Sequence, residues 1–502
     1  MFYDLRYLPL NQVESIEVVK GGLSALYGSN AAAGVISIKL KESAKEALAG
    51  SIGANAGSFG GLGFNGNVSG SNGDWTYGLN LNRQTFEGFS AAAAPDASAN
   101  YDDDGFEKTN VLFKGGYEFK TNWKLGVTAA YDAFTTDLDA FAFTDELNSF
   151  SDYEQIRIGI SPEFKHKMGK SLLNVQYISN ERDFRNAFPT IYDGENLQID
   201  QSNTLELSKY VRAMFGLNLQ YLEDQTEGQE ASFTILDPYA SLLFESEEGI
   251  NLHIGLRLNT HSNYQDKLLV TFNPSWLVEI NDDYRIKPFF SISSAYNTPS
   301  LYQINSQFYG NEDLNPEETL NVELGTSFYA NEKLTVNTAF FKRNEDSAID
   351  FQSFFDGSGN FIGGQYFNVE GRREVQGLEA DFSLNFMEPL TLSGHYSKLA
   401  TNNDASFARI PKEKYGMALA FNMNQTTHIQ LAYQHTGKRR ASPFSETFLE
   451  AYDLVNVSFR KSLLNSLTIT GALNNIFDTQ FIGVEGFTTM GRNFNIGLDY
   501  QF

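Results

Sequence analysis

The sequence predicts an all-β fold: one transmembrane antiparallel β-barrel of about 22 strands, preceded by a small α+β segment. Three observations carry this. From about residue 47 to Phe502, apolar residues alternate with small or polar ones in segments of roughly ten, the length a tilted strand needs to cross a bilayer. The connections between these segments alternate short and long. No apolar run approaches the roughly eighteen residues of a membrane-crossing helix, and the longest uncharged stretch, Ala47 to Gly73, is built of Gly, Ser and Asn.

The alternation is clearest in a few segments. Trp75, Tyr77, Leu79 and Leu81 interleave with Thr76, Gly78, Asn80 and Asn82, and Leu252, Ile254, Leu256 and Leu258 with His253, Gly255, Arg257 and Asn259. At the end of the chain Phe494, Ile496, Leu498, Tyr500 and Phe502 interleave with Asn493, Asn495, Gly497, Asp499 and Gln501. A soluble sandwich alternates too, but its strands average about five or six residues. The connections separate the two folds. Those at 71–73, 120–122, 281–283 and 330–332 are tight turns, whereas those at 88–105, 135–152, 183–197, 297–317 and 344–365 are long. Turns at one rim and loops at the other are the asymmetry of an outer-membrane barrel. Trp75, Tyr117, Trp123, Tyr284 and Tyr500 fall near strand ends, where interfacial aromatic girdles form.

Residues 1–45 read differently and are expected to form a separate unit, with the barrel over 46–502. Gln12 to Val19 and Gly34 to Leu40 are strand-like, and Gly21 to Tyr27 reads as a turn with a short helix. The net charge of −25 excludes nucleic acid as the main partner, and the lack of cysteine excludes disulfides and thiolate metal sites. Met1-Phe2-Tyr3-Asp4-Leu5 has neither the basic start nor the apolar core of a signal peptide.

Several motifs then come in order. Val13-Glu14-Ser15-Ile16-Glu17-Val18-Val19-Lys20-Gly21, Ser24-Ala25-Leu26-Tyr27-Gly28 and Gly34-Val35-Ile36-Ser37-Ile38 open the chain. Tyr296-Asn297-Thr298-Pro299-Ser300-Leu301 and Asn311-Glu312-Asp313-Leu314-Asn315-Pro316-Glu317 fill one long connection. Asn474-Asn475-Ile476-Phe477-Asp478 and Gly491-Arg492-Asn493-Phe494 close it. Together these resemble the TonB-dependent outer-membrane receptors: the end of the plug domain, a barrel loop, and the last two strands. The resemblance implies an integral protein of the outer membrane, inserted into lipid by the barrel-assembly machinery. It also implies that the rest of the plug, with the segment that binds TonB, belongs before residue 1, so the chain is expected to be N-terminally truncated. The family holds plug cations on barrel glutamates, and the resemblance places that contact on Lys20 with Glu323 and Glu379. Strand alternation independently turns Glu323, Glu379 and Asp381 toward the lumen.

No catalytic constellation stands out, and an enzyme is not expected. The six histidines make no His-x-x-x-His or His-x-x-Glu pattern, so no metal site is expected from them. The loop from Ser300 to Glu317 lacks the histidine of the family's haem receptors. Aromatic residues in the long loops suit stacking on flat chelates or sugars. The ligand candidates are Phe134, Phe143, Tyr192, Tyr302, Phe308, Phe354, Phe355 and Tyr366. No cofactor is expected beyond a weak Ca²⁺ candidate at Asp102, Asp103 and Asp104, where a solvated acidic loop is the plainer reading. The expected function is active import of a scarce nutrient, a ferric siderophore first, with cobalamin, an oligosaccharide or a passive porin as alternatives.

Overall fold

A computed structural model of the chain describes residues 5–502 apart from 22–23, 29–30, 97–99, 187–188, 227–229 and 359–360. From Ala49–Gly57 to Asn493–Gln501 the strands close into one antiparallel barrel of 22 strands. Closure is made by the last strand on the first, with Tyr500 opposite Ile52 and Asn495 opposite Gly57. One strand is interrupted at Leu277, between Lys267–Trp276 and Val278–Glu279, and both pieces pair with Tyr284–Asn297. In hydrocarbon each unpaired backbone group costs several kcal/mol, so a sheet crossing lipid must have no edge.

Alternation sorts the side chains as expected. Phe494, Ile496, Leu498, Tyr500 and Phe502 are all exposed on the outer wall, toward lipid. Trp75 packs at a tilt against Tyr117 across the strand pair at 4.4 Å between ring centroids, and Trp123 meets Phe164 at 4.7 Å, forming part of the girdle near the short turns.

Strand length departs from the expected ten residues. Asp104–Lys120, Phe150–His166, Gly169–Arg185 and Thr190–Glu206 have 17 residues each and project beyond the bilayer on the long-loop side. For the same reason 183–197 is not a long loop. Its two strands stay paired as far as Phe184 opposite Thr190. Polar residues in that extension meet water on both faces, so the apolar period that marks a lipid-facing strand fades there. The other long connections carry structure of their own. The one after Asn297 holds the helix Leu301–Asn305, and the one after Asp346 holds a hairpin, Ile349–Phe355 with Phe361–Asn368.

The N-terminal segment lies inside the barrel. Val13–Lys20 pairs antiparallel with Gly34–Leu40, with Lys20 opposite Gly34, and the helix Ser24–Tyr27 is carried between them. Two short strands and one turn of helix are too small to form a core, so they bury themselves against the wall. Ala25 is fully buried, and a Cβ on the wall residue Gly255 would stand 2.8 Å from the Ala25 side chain.

Candidate functional site

Two constellations stand in the lumen: a seat that holds the N-terminal segment, and an aromatic cavity on the long-loop side.

The seat is made largely by wall side chains that donate to backbone carbonyls of the segment. Arg257 is the centre of it. Its Nε and Nη2 reach the carbonyls of Ala25 and Leu26 at 3.3 and 3.1 Å, which are among the unpaired acceptors at the end of the short helix. Its Nη1 pairs with Asp237 at 3.2 Å, Asn259 holds the second Asp237 oxygen at 2.8 Å, and its guanidinium lies 4.7 Å from the Tyr239 ring. Arg257 and Asp237 are both almost wholly buried. Asn110 donates to the Tyr7 carbonyl at 3.0 Å, Lys108 to Arg6 at 3.1 Å, Lys114 to Lys41 at 3.0 Å, and Asn321 to Ala32. The residues expected in this contact are also brought together. Lys20 Nζ lies 2.6 Å from Glu379 Oε2, and the Glu323 carboxylate covers Gly21 so closely that a Cβ there would stand 2.7 Å from Oε1. Gly21 has φ of +86°, a region that disfavours any side chain.

The cavity has a volume of about 540 Å³ and opens toward the long loops. Tyr192, Tyr302 and Tyr366 line it, as do Phe184, Arg182 and Tyr153 from neighbouring strands and Tyr7 from the segment. The rings form a chain. Phe184 to Tyr192 is 5.6 Å between centroids, Tyr192 to Tyr302 5.5 Å, and Tyr302 to Tyr366 6.3 Å. It continues through Phe351 at 5.1 Å to Tyr309 at 5.6 Å. Arg182 lies 4.4 Å over the Phe184 ring and bonds Ser151 Oγ at 3.1 Å, which fixes its cation at the cavity wall. Burial raises the Tyr366 phenol above its ordinary range, so it is a neutral donor throughout the physiological range.

The loop motif explains how these rings are held. Ser300 caps the helix Leu301–Asn305, taking the Gln303 amide at 3.2 Å while Gln303 Oε1 takes the Ser300 amide at 2.9 Å. Asn311 donates to the Tyr366 carbonyl at 2.9 Å, and Asn315 and Asn368 exchange bonds of 2.8 and 2.9 Å. Leu314 is buried beneath. Glu317 ties the Asn297 amide at 2.6 Å to the Ile349 backbone at 2.7 Å. Thus the helix carrying Tyr302 and the hairpin carrying Tyr366 are fastened to one another.

The other ligand candidates lie elsewhere. Phe134 is buried with Tyr153 under Tyr7, 5.1 Å from the latter's ring, and so supports the segment. Phe143 is tied by its backbone to Gly486 and by its carbonyl to the Tyr101 hydroxyl. Phe308, Phe354 and Phe355 are exposed outside the cavity. Phe184, Arg182, Tyr153 and Tyr309 were not among the candidates, although inward alternation from Ser151 to Tyr153 and from Arg182 to Phe184 marks three of them. Of the acidic candidates, Asp102 comes together with Asp139 and Asp145, their oxygens within 4.8 Å. Asp103 is not in this group, and Asp104 holds the Ala91 amide at 2.6 Å. Burial, and then the adjacent Asp145 carboxylate, raise the Asp102 carboxyl above its ordinary range.

Comparison with known proteins agrees with this architecture. Residues 50–476 match the model of the TonB-dependent receptor-like β-barrel, and residues 1–35 match that of the TonB-dependent receptor plug domain. The chain belongs to the TonB-dependent receptors, which are transporters of the outer membrane, not enzymes. Such receptors bind small-molecule ligands and interact with TonB. Among its relatives are vitamin B12 transporters of Photobacterium profundum and Vibrio cholerae. Each is 23% identical over 99% of this chain and 81% of the relative. Similar solved structures include the siderophore receptor PirA of Acinetobacter baumannii, with a TM-score of 0.84 and 16% identity over 100% of this chain and 87% of that one. A ferric enterobactin receptor of Pseudomonas aeruginosa gives a TM-score of 0.82 and 18% identity over 100% and 86%.

Proposed function

We propose that this receptor captures a ferric siderophore at the aromatic cavity and imports it through the barrel. The observation that carries the reading is the chain of rings from Phe184 to Tyr309, with Arg182 fixed beside it. Ring faces stack on flat chelates, and Arg182 is the cation of a cavity whose lining also carries Asp193, Glu195, Glu223 and Asp224. Pockets of about 300–1,000 Å³ suit compact ligands, and this cavity falls in that range. Lys20, Glu323 and Glu379 belong to the seat that keeps the plug segment in register beneath the ligand. A second reading, cobalamin, is favoured by the near full-length similarity to vitamin B12 transporters.

The test is uptake in a host lacking its own receptors for both ligands and expressing this receptor. Accumulation of radiolabelled iron from a ferric siderophore, lost on Tyr302→Ala, is the expected result. Accumulation of cobalamin instead would establish the second reading, and accumulation of neither would refute both.

A further inference from the structure

The lipid-facing wall of the barrel carries a groove of about 390 Å³ close to the short turns. Trp75, Phe113, Tyr117, Phe119, Leu125 and Val127 line it. Strand alternation turns these side chains outward, and Trp75, Phe113 and Phe119 are exposed. Gly115 is the floor. It lies between Phe113 and Tyr117 on the same face of its strand, and a Cβ there would stand 2.8 Å from Val127 Cγ2. The walls support one another, with Tyr117 packed on Trp75 at 4.4 Å and edge-on to Phe119 at 4.7 Å between ring centroids.

At the rim below the groove the charge changes sign against the chain as a whole, whose net charge is −25. Lys120 follows Phe119 in one short turn, and Lys165, Lys167 and Lys170 surround the next; all four are exposed. The two turns are neighbours, since the Lys165 amide donates to the Asn122 carbonyl at 2.8 Å. The girdle pair Trp123 and Phe164 stands between them. Lys165 is directly opposite Lys170 in the strand pair, an arrangement of like charges that costs stability. Among the described residues these four make one ion pair, Lys165 with Glu163 at 3.6 Å.

We propose that groove and turns form one site for an anionic phospholipid of the periplasmic leaflet, with an acyl chain over Gly115 and the headgroup phosphate among Lys120, Lys165, Lys167 and Lys170. The two halves select the lipid together. A zwitterionic lipid fills the groove but leaves the opposed ammonium groups uncompensated, whereas a soluble anion compensates them and leaves the groove unfilled. Flexible lysine stems run along apolar surface while their charged ends stay at headgroup level. Basic clusters at the edge of a membrane-spanning segment draw anionic lipid in this way. The site is on the rim away from the aromatic cavity, so the assignment does not depend on which nutrient is imported.

The test places the full chain in nanodiscs of phosphatidylglycerol and phosphatidylcholine in equal parts. After transfer to detergent, native mass spectrometry counts the lipids that stay on the barrel, and phosphatidylglycerol is expected to be retained in preference. A lysine at an anionic surface contributes about fivefold in affinity, so Lys120→Gln, Lys167→Gln and Lys170→Gln together should lower that preference by about tenfold or more. Gly115→Leu fills the groove and should lose most of the retained lipid. Lys333→Gln, in another short turn between Glu317–Ala330 and Leu334–Asp346, should keep the original preference. Heat-modifiable mobility shows that each variant is folded, and Phe119→Ser, which removes one wall, replaces Gly115→Leu if the latter does not fold. Equal retention of the two lipids by the unaltered chain, an unchanged preference in the lysine variant, or an equal loss at Lys333→Gln overturns the proposal. So does undiminished retention in the groove variant.

Discussion

Two ion pairs stand at the seat of the plug segment, and their surroundings give them different weights. Lys20 and Glu379 are 2.6 Å apart, but the lysine side chain is 61% exposed, and pairs in that setting are worth roughly 0–1 kcal/mol. Arg257 and Asp237 are buried, so removing one partner strands the other and costs about 3–5 kcal/mol. Arg257→Met is therefore expected to lower markedly the urea concentration at which protease cuts residues 5–41 in the folded barrel. Lys20→Ala should hardly change it, and equal shifts would contradict the ranking. Alternation alone marks Arg257 as inward. Its partners are backbone carbonyls, which no side-chain pattern encodes, so its role was not legible in the sequence. At Asp102 the folded-state carboxyl is raised above 3.8, so the folded loop binds more protons than the unfolded one in that window. Loop stability is accordingly present at low pH and lost as pH rises through the raised value. Proteolysis at residues 100–105 should speed up as pH rises above the ordinary carboxylate range. If Asp102, Asp139 and Asp145 take up Ca²⁺, added calcium should slow it again.

Among elements, the final strand closes the barrel, and its alternate residues Phe494 to Phe502 face lipid. Deleting 500–502 removes the pairings of Tyr500 with Ile52 and Gln501 with Ser51 and leaves the edge of the first strand open there. A sharp fall in heat-modifiable barrel is expected in outer-membrane fractions, and normal yield would argue against this role. The loop motif around Asn311 yields a second expectation. Asn311→Ala cuts the bond to the Tyr366 carbonyl and should loosen the hairpin, seen as faster amide exchange at 361–368. The strands were legible because a lipid face and a wet face impose period two. The extension past residue 183 was not, since both of its faces are wet. The fastening of Tyr302 to Tyr366 was only partly visible: the asparagine-rich motif marks a fixed loop but not what it is fixed to.

For the molecule as a whole, sorted connections define an orientation. Leu147 stands exposed in a long loop, and Asn281 in a short turn at the other rim. In intact cells a membrane-impermeant thiol label should reach Leu147→Cys at once and Asn281→Cys only after the envelope is permeabilised. The reverse would invert the barrel and place the aromatic cavity inside. The seat has a consequence of another kind. Arg257, Asn110, Lys108, Lys114 and Asn321 all address the main chain of the plug segment, whatever letters that chain carries. The barrel recognises a contour, not a text. Substitutions at exposed positions of the segment can therefore accumulate while the fit survives, provided that the turn at Gly21, the short helix and the buried Tyr7 and Ala25 are kept.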